Sequence, residues 1–182
     1  MEGIFYIFSP DYKKLILDPN TAHRSLCLSE GNRKARYWTK QPHPDHPERF
    51  EHLTQVLCTE GLTGRCYWET EWTGRAFIGV AYKRICRKGN GDDSWLGKND
   101  CSWGLECNKD GIAAWHKGVR SQVKVTPISY KVGVFLDWSA GTLSFLRVDC
   151  EESNFHKFHT TFTEPVYPGF RFGWVDSTVC LC

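Results

Sequence analysis

Residues 134–145 have the sequence VFLDWSAGTLSF, in which two apolar segments flank the short stretch SAG. Apolar side chains recur at every second position on both sides of that stretch, which is the period of a β-strand with one buried face. Gly141 can adopt the positive φ that a tight hairpin loop requires. The sequence therefore predicts a β-hairpin with strands at Val132–Trp138 and Thr142–Val148.

Short segments with the same period recur along the chain. They predict strands at Cys66–Trp72 and Ala76–Tyr82, and a second hairpin that joins Ser102–Asn108 to Ile112–His116. Four tryptophans fall within these strand patterns and are predicted to lie in the core: Trp68, Trp72, Trp103 and Trp138. Many short strands without intervening long helices predict an all-β sandwich.

Three stretches have the composition of long loops, where recognition residues usually reside. They are Thr39–Pro47, Arg87–Asp100 and Asp149–His159. Three further tryptophans lie at or near loops: Trp38, Trp95 and Trp115. Helical periodicity is nearly absent, and a turn or two of helix is predicted only at Glu48–Leu53.

The composition is that of an ordinary globular domain. The 182 residues are 41% hydrophobic and 24% charged, which argues against a disordered chain, and this length suits one domain. The formal net charge is +2, from 23 basic against 21 acidic residues, so no nucleic-acid partner is expected. No stretch approaches the roughly 20 apolar residues that span a bilayer, so no membrane insertion is expected.

Cysteine usage indicates a reducing compartment. The nine cysteines are odd in number and irregular in spacing, and the early apolar run Ile4–Phe8 is too short for a secretory signal. We therefore expect free thiols and a cytoplasmic protein. No CxxC pair occurs, so neither a metal nor a cofactor is predicted. The nearest approaches to a metal ligand set are Cys180 and Cys182, and the histidines His43, His46 and His52.

Four motifs, in the right order, resemble those of the PRY-SPRY family. Residues 15–22, LILDPNTA, resemble the LDP-x-TA opening of the PRY segment, and residues 67–72, YWETEW, resemble the YWEVE motif that starts the SPRY core. Residues 134–145 resemble the FLDYEAGTLSF motif, and residues 166–170, VYPGF, resemble the closing segment. The resemblance covers nearly the whole chain.

The resemblance implies a bent sandwich of two antiparallel sheets, a concanavalin-like jelly roll with very little helix. It implies a PRY segment at 11–60 and a SPRY segment at 61–182, which form one structural domain, with 1–10 as a linker remnant. Such domains occur at the C-terminus of tripartite-motif ubiquitin ligases, in fish innate-immune receptors and in butyrophilins. The loop at 91–100, GDDSWLGKND, is most similar to fish members.

For function, the resemblance implies a protein-recognition module that selects a target of unknown identity for a larger protein. That larger protein is expected to be a tripartite-motif E3 ubiquitin ligase in innate immunity. The chain itself is then not an enzyme, since a separate RING domain would recruit the ubiquitin-charged enzyme. A coiled coil would make the parent dimeric and add avidity, while the isolated domain is expected to be a monomer.

The resemblance also places a binding surface on the loops at one edge of the sandwich. Strand alternation predicts that Trp103, Leu105 and Cys107 face the core, whereas Glu106 and Asn108 face outward. Some relatives have aromatic residues that line a pocket at these two outward positions, whereas this chain has polar residues there. A relative's ligand, such as an antibody constant region, is therefore not expected to bind this chain. The predicted partner-binding residues are Trp38, Arg84, Trp95, Glu106, Asn108 and Phe170.

Two other functions stay open on the sequence. Some butyrophilin relatives bind phosphorylated metabolites through basic residues, and a basic run here could hold a phosphorylated small ligand. That run consists of Lys83, Arg84, Arg87 and Lys88. A glycan-binding or glycan-cleaving sandwich could use loop tryptophans with Glu69 and Glu71, which alternation places about 6–7 Å apart. The simpler interpretations are a solvated basic face and structural glutamates.

Overall fold

Strands form the regular secondary structure of residues 10–123, 129–149 and 154–182, which are the residues that the computed structural model describes. In chain order they are β1 (Asp11–Tyr12), β2 (Leu26–Ser29), β3 (Lys34–Tyr37), β4 (Gln55–Leu57), β5 (Arg65–Thr73), β6 (Ala76–Tyr82), β7 (Ser102–Asn108), β8 (Gly111–His116), β9 (Val119–Val123), β10 (Lys131–Asp137), β11 (Thr142–Arg147), β12 (Asn154–His159), β13 (Val166–Phe172) and β14 (Thr178–Leu181).

The strands form two sheets. One has the order β12-β11-β10-β5-β14-β3-β2, with β1 added in parallel to β5, and the other has the order β4-β13-β6-β7-β8-β9. All pairs apart from β1–β5 are antiparallel. The predicted all-β sandwich is therefore confirmed. The first sheet joins β2 and β3 from the N-terminal part of the chain to strands from the C-terminal part, so the two parts share one core.

The hairpin predicted from residues 134–145 is formed by β10 and β11. Val134 pairs with Phe145 and Leu136 with Leu143, and all four side chains are fully buried. Gly141 has a φ of 71°, and a Cβ there would lie 1.8 Å from the carbonyl oxygen of Thr160. Glycine is thus required both by the turn and by the close approach of the neighbouring backbone.

Burial separates the tryptophans largely as expected. Trp68, Trp72 and Trp103 are almost fully buried, which confirms their place in the core. Trp138 packs against the core from just beyond β10 and stays partly exposed. Its indole N–H donates to the carbonyl of Glu164 at 2.9 Å, and its ring stacks near Phe162.

Two sequence-based predictions of local structure are wrong. Residues 48–53 form turns and bends because their backbone N–H groups bond to distant segments: Phe50 to the carbonyl of Thr21 and Glu51 to that of Arg87. The Arg49 side chain is buried there and donates to three backbone carbonyls, those of Pro44, Pro19 and Ala22.

The second error concerns the loop predicted at 149–159. Residues 154–159 form β12, an edge strand paired with β11, while residues 150–153 lie outside the described part of the chain. The sequence NFHKFH is polar at most positions, as solvent-facing edge strands often are, and only Phe155 is buried. The register shift between Phe145 and Leu146 further obscures the pattern.

Glycines in three adjacent strands create a flat patch on the second sheet. Gly169 pairs with Gly79, and Gly79 pairs with Gly104. A Cβ on Gly104 would lie 2.5 Å from the ring of Phe77, so the absence of side chains lets that ring lie close against the sheet. A Cβ on Gly97, in the loop after β6, would lie 2.9 Å from the same ring. The loop between β6 and β7 therefore packs closely against the sheet through the ring of Phe77.

Candidate functional site

A row of paired residues crosses the second sheet. Phe77 in β6 pairs with Arg171 of β13 on one side and with Glu106 of β7 on the other. Directly paired residues project to the same face, so a guanidinium and a carboxylate lie on either side of a buried aromatic ring. The adjacent residues Ile78, Leu105 and Phe170 project to the opposite face and are fully buried.

Glu106 binds two arginines at once. Its Oε2 accepts a hydrogen bond from Nη2 of Arg171 at 2.9 Å, and its Oε1 accepts one from Nη2 of Arg75 at 2.7 Å. The Glu106 and Arg171 side chains are 13% and 11% exposed, whereas that of Arg75 is 37% exposed. We call these three residues the Glu106 triad. Arg75 is its solvent-facing member.

Burial and ion pairing set the charge states of the triad. Burial disfavours the charged carboxylate of Glu106, but the hydrogen bonds and charges of Arg171 and Arg75 outweigh it and hold its pKa below the ordinary value. Burial lowers the pKa of Arg171, and Glu106 opposes that shift. With both guanidiniums charged at neutral pH, two positive charges face one negative charge, and the triad carries a net charge of about +1.

The loop between β6 and β7 brings a tryptophan against the triad. Gln55 of β4 fixes this loop, since its amide donates to the carbonyl of Ser94 at 2.7 Å and its Oε1 accepts the N–H of Leu96 at 2.9 Å. Trp95, between these two contacts, has its ring centroid 5.2 Å from the Arg171 guanidinium carbon and 3.7 Å from Nζ of Lys98. These distances suit cation–π contacts.

A groove of about 370 Å³ opens beside the triad. We call it the Arg75 groove. Its lining residues come from both the N-terminal and the C-terminal parts of the chain: Tyr37, His52, Leu53, Thr54, Arg75, Trp95, Arg171, Phe172 and Gly173. Glu106 also borders a smaller cavity of about 100 Å³, which Asn108, Asp110, Arg120 and Gln122 help to line.

Exposed apolar side chains lie next to the groove in sequence and in backbone pairing. Trp38 follows the lining residue Tyr37 and is 41% exposed, while Trp174 and Val175 follow the lining residue Gly173 and are 42% and 59% exposed. The backbone of Tyr37 bonds to that of Asp176 and Ser177, which joins the two segments. We call Trp38, Trp174 and Val175 the Trp38 rim.

Family models match nearly the whole chain. Residues 15–62 match the SPRY-associated domain, PRY, and residues 65–181 match the SPRY domain. The chain belongs to the PRY-SPRY family. The predicted resemblance is confirmed, and the Arg75 groove therefore lies where residues of the PRY match meet residues of the SPRY match.

Relatives of this PRY-SPRY chain include proteins of different kinds. It is 49% identical over 163 residues to neoverrucotoxin subunit beta of Synanceia verrucosa, covering 88% of this chain and 23% of that protein. It is 32% identical over 178 residues to the E3 ubiquitin-protein ligase TRIM65 of Mus musculus, covering 94% and 33%. The crystal structure of the TRIM65 PSpry domain superposes with a TM-score of 0.85 at 28% identity, covering 94% of this chain and 90% of that one. The chain thus spans about a quarter to a third of these two relatives.

The PRY-SPRY fold brings together only some of the predicted site residues. Trp95 lines the Arg75 groove, Glu106 lies in the triad, and Trp38 lies on the rim. Asn108 lines the small cavity on the other side of Glu106. The predicted surface position of Phe170 is wrong, because its side chain is fully buried on the face opposite Arg171.

Arg84 lies apart from the groove. Arg75 precedes β6 and Arg84 follows it, so the seven residues of that strand separate the two by about 20 Å. Arg84 is an exposed residue that bonds to Glu164 at 2.8 Å and lies over the ring of Tyr82. Its predicted role in the same binding surface gains no support from this position.

Arg75, Arg171 and Trp174 were not among the predicted site residues. For Arg171 the sequence does carry a signal, the segment FRF at 170–172. A charged residue between two aromatics in a strand projects to the face opposite theirs. Arg75 and Trp174 have no comparable local signal, since each gains its place from the register of neighbouring strands.

The cations of the basic run are bound by neighbouring protein groups. The Arg87 guanidinium donates to the carbonyls of Glu48, Lys83 and Ile85, at 2.7 to 3.1 Å. Lys88 donates to two further backbone carbonyls, and Lys83 pairs with Glu48. These cations stabilise the loops around them, so their geometry does not support the phosphorylated-ligand alternative.

Glu69 and Glu71 are likewise engaged by their neighbours. Nζ of Lys131 lies 3.3 Å from Glu69 and 3.9 Å from Glu71. The Tyr67 hydroxyl donates to Glu69 at 2.9 Å. Burial, and to a lesser extent the Glu69 carboxylate, raises the pKa of this tyrosine. Contacts of this kind support the structural interpretation of both glutamates over the glycan-cleaving one.

The described cysteines are free thiols, and four of the eight are buried: Cys58, Cys66, Cys101 and Cys107. Burial raises the pKa of each of these four thiols. Within the described ranges, no cluster of three or more His, Cys, Asp or Glu side chains is arranged to hold a metal ion. The same ranges contain no helix with the length and apolar character needed to cross a membrane.

Proposed function

We propose that this PRY-SPRY domain recognises a protein partner through the Arg75 groove and the Trp38 rim. A SPRY domain is a protein-interaction module, and the family match supports that role for this chain. The observation that carries the specific surface is the groove itself, with a partly exposed arginine in its lining and exposed tryptophans that follow the lining residues Tyr37 and Gly173 in sequence.

The composition of this surface suits an interface. Tryptophan and arginine are the residue types most enriched among binding hot spots. Trp38 and Trp174 expose about two-fifths of their surface, and neither is needed to fill the core between the sheets. Large apolar side chains that stay exposed beside a groove of this size gain free energy when a partner covers them.

The parent protein is a second part of the proposal. We infer a larger protein in which this domain selects the target, and an E3 ubiquitin ligase of the tripartite-motif kind is the first candidate because TRIM65 is a relative over 94% of the chain. In such a parent, a RING domain would carry the activity, a coiled coil would dimerise it, and this domain would have no catalytic role. Free thiols agree with a cytoplasmic setting for that parent, for which we propose a role in innate immunity.

A toxin-like subunit is the alternative parent. The 49% identity to neoverrucotoxin subunit beta favours it, since this exceeds the 32% identity to TRIM65. Both parents would use the domain for protein contacts. The reading frame around the chain distinguishes them, because a RING and coiled coil upstream would indicate the ligase and their absence from the complete frame would exclude it.

The binding surface is tested by photo-crosslinking from inside the groove. A photoreactive amino acid replaces Thr54, which lines the groove, and in a control it replaces Val119, which is 66% exposed on the edge strand β9. The Thr54 variant is expected to capture a protein that the Val119 variant does not capture.

Affinity measurements then decide whether that protein uses the proposed surface. Trp38→Ala and Trp174→Ala are each expected to weaken its binding about thirtyfold with the melting temperature unchanged. Arg84→Ala, at the other end of β6, is expected to leave the affinity unchanged. Wild-type affinity in both tryptophan variants would contradict the proposed surface.

A further inference from the structure

We propose that the Arg75 groove selects an acidic side chain, aspartate or glutamate, of the partner protein. This inference rests on the proposed function, since it names the chemical group that the same surface recognises. In this proposal Arg75 binds the carboxylate. The apolar wall of the groove contacts the residues that flank the acidic residue in the partner's sequence.

Charge is the first argument. Among the residues that the structure describes, those that line the groove include two arginines and no acidic residue. Glu106 lies behind them and neutralises one of the two guanidinium charges. Lys98, whose Nζ lies 3.7 Å from the centroid of Trp95, adds a further positive charge nearby. The groove therefore attracts anions.

Hydrogen-bonding capacity is the second argument. A guanidinium has five N–H donors, and Arg75 uses one nitrogen, Nη2, to bind Glu106. Arg171 is nine-tenths buried and held by Glu106, so it supplies charge from behind. Arg75 has a side chain that is 37% exposed and lines the groove. Its Nε is buried from solvent, so Nη1 and the second N–H of Nη2 are the donors left for paired hydrogen bonds with a carboxylate.

The net charge of the triad favours a singly charged group over a phosphate. Two guanidiniums and one carboxylate leave about one positive charge, which one incoming carboxylate balances. A doubly charged phosphate would also need the charge of Lys98, whose Nζ is held over the ring of Trp95. We therefore assign a carboxylate to the groove, and a phosphorylated ligand becomes an outcome that the experiment can reveal.

The walls of the groove describe the neighbours of that acidic residue. Tyr37 and Leu53 line it, and the residues of the Trp38 rim follow the lining residues Tyr37 and Gly173 in sequence. A segment that places an acidic side chain against Arg75 can continue across the rim with an apolar residue. This continuity favours an internal residue of the partner over a free C-terminal carboxylate.

The experiment selects peptides from two random libraries displayed against the complete 182-residue chain. In one library the random segment is flanked on both sides, and in the other it ends in a free C-terminus. Wild-type protein is expected to enrich aspartate or glutamate at one position of the flanked library, next to an apolar residue. Enrichment confined to the free C-terminus would overturn the assignment to an internal side chain.

Variants of two matched arginines locate the contact. Arg75 and Arg84 are both partly exposed and both bond to one glutamate, at 2.7 and 2.8 Å. Arg75→Ala is expected to weaken binding of the selected peptide at least about tenfold. Replacing the acidic residue of the peptide by its amide is expected to weaken binding by the same factor. Arg84→Ala should change the affinity less than about twofold. Arg75→Lys keeps the charge without the paired donors and should give an intermediate loss.

The outcomes separate this inference from the proposed function. Selected peptides without an acidic residue that still lose affinity in Arg75→Ala would overturn the carboxylate inference and leave the groove as the binding site. Tighter binding of a peptide in which phosphoserine replaces the acidic residue would also overturn the carboxylate inference, and it would also leave the groove as the binding site. Acidic peptides that bind Arg75→Ala like wild type, or a library that yields no peptide dependent on Arg75, would also overturn the inference. Melting temperatures of each variant verify that the fold is intact.

Discussion

Glu106 and Arg171 face each other across the ring of Phe77, with 2.9 Å between Oε2 of the carboxylate and Nη2 of the guanidinium. The two residues are 65 positions apart in the sequence. They lie on β7 and β13, and β6 runs between these two strands in the sheet. Both side chains are nearly buried, so each depends on the other to compensate its charge. This pair anchors the wall of the groove and is also a point where the domain can be weakened selectively.

Glu106→Gln is expected to destabilise the domain because it leaves Arg171 charged and poorly compensated in a buried position. Breaking such a pair costs about 3 kcal/mol, which lowers Tm by roughly 6–12 °C for a domain of this size. Thermal unfolding measures the change. Glu164→Gln is the control, since it removes the partner of exposed Arg84 and should leave Tm within about 2 °C. Equal effects of the two changes would contradict the prediction.

The stabilisation by Glu106 should depend on pH in one direction. Its pKa is below the ordinary 4.5 in the folded state because Arg171 and Arg75 outweigh the effect of burial. A lowered folded-state pKa means that the stabilisation is fully present above the unfolded-state pKa and is lost as pH falls through the folded-state value. Urea unfolding from neutral to acidic pH should therefore show the wild-type advantage over Glu106→Gln shrinking below about pH 4.5. An advantage that stays constant into strong acid would contradict this account.

Gly104→Ala should weaken the packing of the loop that carries Trp95. The added Cβ would lie 2.5 Å from both the Phe77 ring and the carbonyl oxygen of Ile78, so the ring or the strand must shift. Overpacking of this kind costs about 1–3 kcal/mol, measured by chemical denaturation. Gly91→Ala, in the same loop, meets only Asp93 at 3.5 Å and should change stability by less than about 0.5 kcal/mol. A neutral Gly104→Ala would show that the ring has room to move.

Truncation of two tryptophans should destabilise the domain to different extents. Trp138 packs on the core and donates to Glu164, so Trp138→Ala is expected to cost about 3 kcal/mol of stability. Trp38 is 41% exposed and lies 4.1 Å from the Arg36 guanidinium carbon, so Trp38→Ala should cost less than about 1 kcal/mol. Denaturation curves of both variants give the comparison. A Trp38 variant as unstable as the Trp138 variant would contradict the assignment of Trp38 to the binding rim.

Reducing agent should leave the stability of the domain unchanged. The eight described cysteines are free thiols, and four of them are buried within the core or close to it. Tm measured with and without reductant is therefore expected to agree within about 2 °C. A fall above about 10 °C on reduction would reveal a stabilising disulfide of a few kcal/mol and contradict this expectation.

Strand positions were predictable because their signals are local. Alternation of apolar side chains and the turn glycine at 141 predict all four strand ends of the β10–β11 hairpin to within one residue. The same alternation correctly placed Trp103, Leu105 and Cys107 in the core. The strand at 154–159 was missed because most of its residues are polar, and a polar edge strand resembles a loop in sequence.

The site was only partly predictable because alternation defines two faces without saying which contact each face makes. Glu106 was correctly placed outside the core, but nothing in its own segment indicates that Arg75 and Arg171 bond to it. The sequence analysis predicts Phe170 at the surface, but its side chain lies opposite Arg171, between the fully buried Val56 and Ile78 of the flanking strands. Its burial follows from those two neighbours, which its own segment does not reveal.

By itself, the sequence determined that the chain is an all-β PRY-SPRY domain, since periodicity, turn glycines and family motifs are properties of short segments. The tertiary structure alone decided where the groove lies. Tyr37, Arg75, Trp95 and Arg171 come from four distant segments. The two arginines meet at Glu106 because β13, β6 and β7 pair in one particular register. Tyr37, in the other sheet, is joined to this region by its backbone bonds to Asp176 and Ser177, and Trp95 by the bonds of Gln55 to its loop. A shift of one residue in any of these pairs would turn a charged side chain to the other face. Register between distant strands is set by packing across the whole core, so no short segment of sequence contains it.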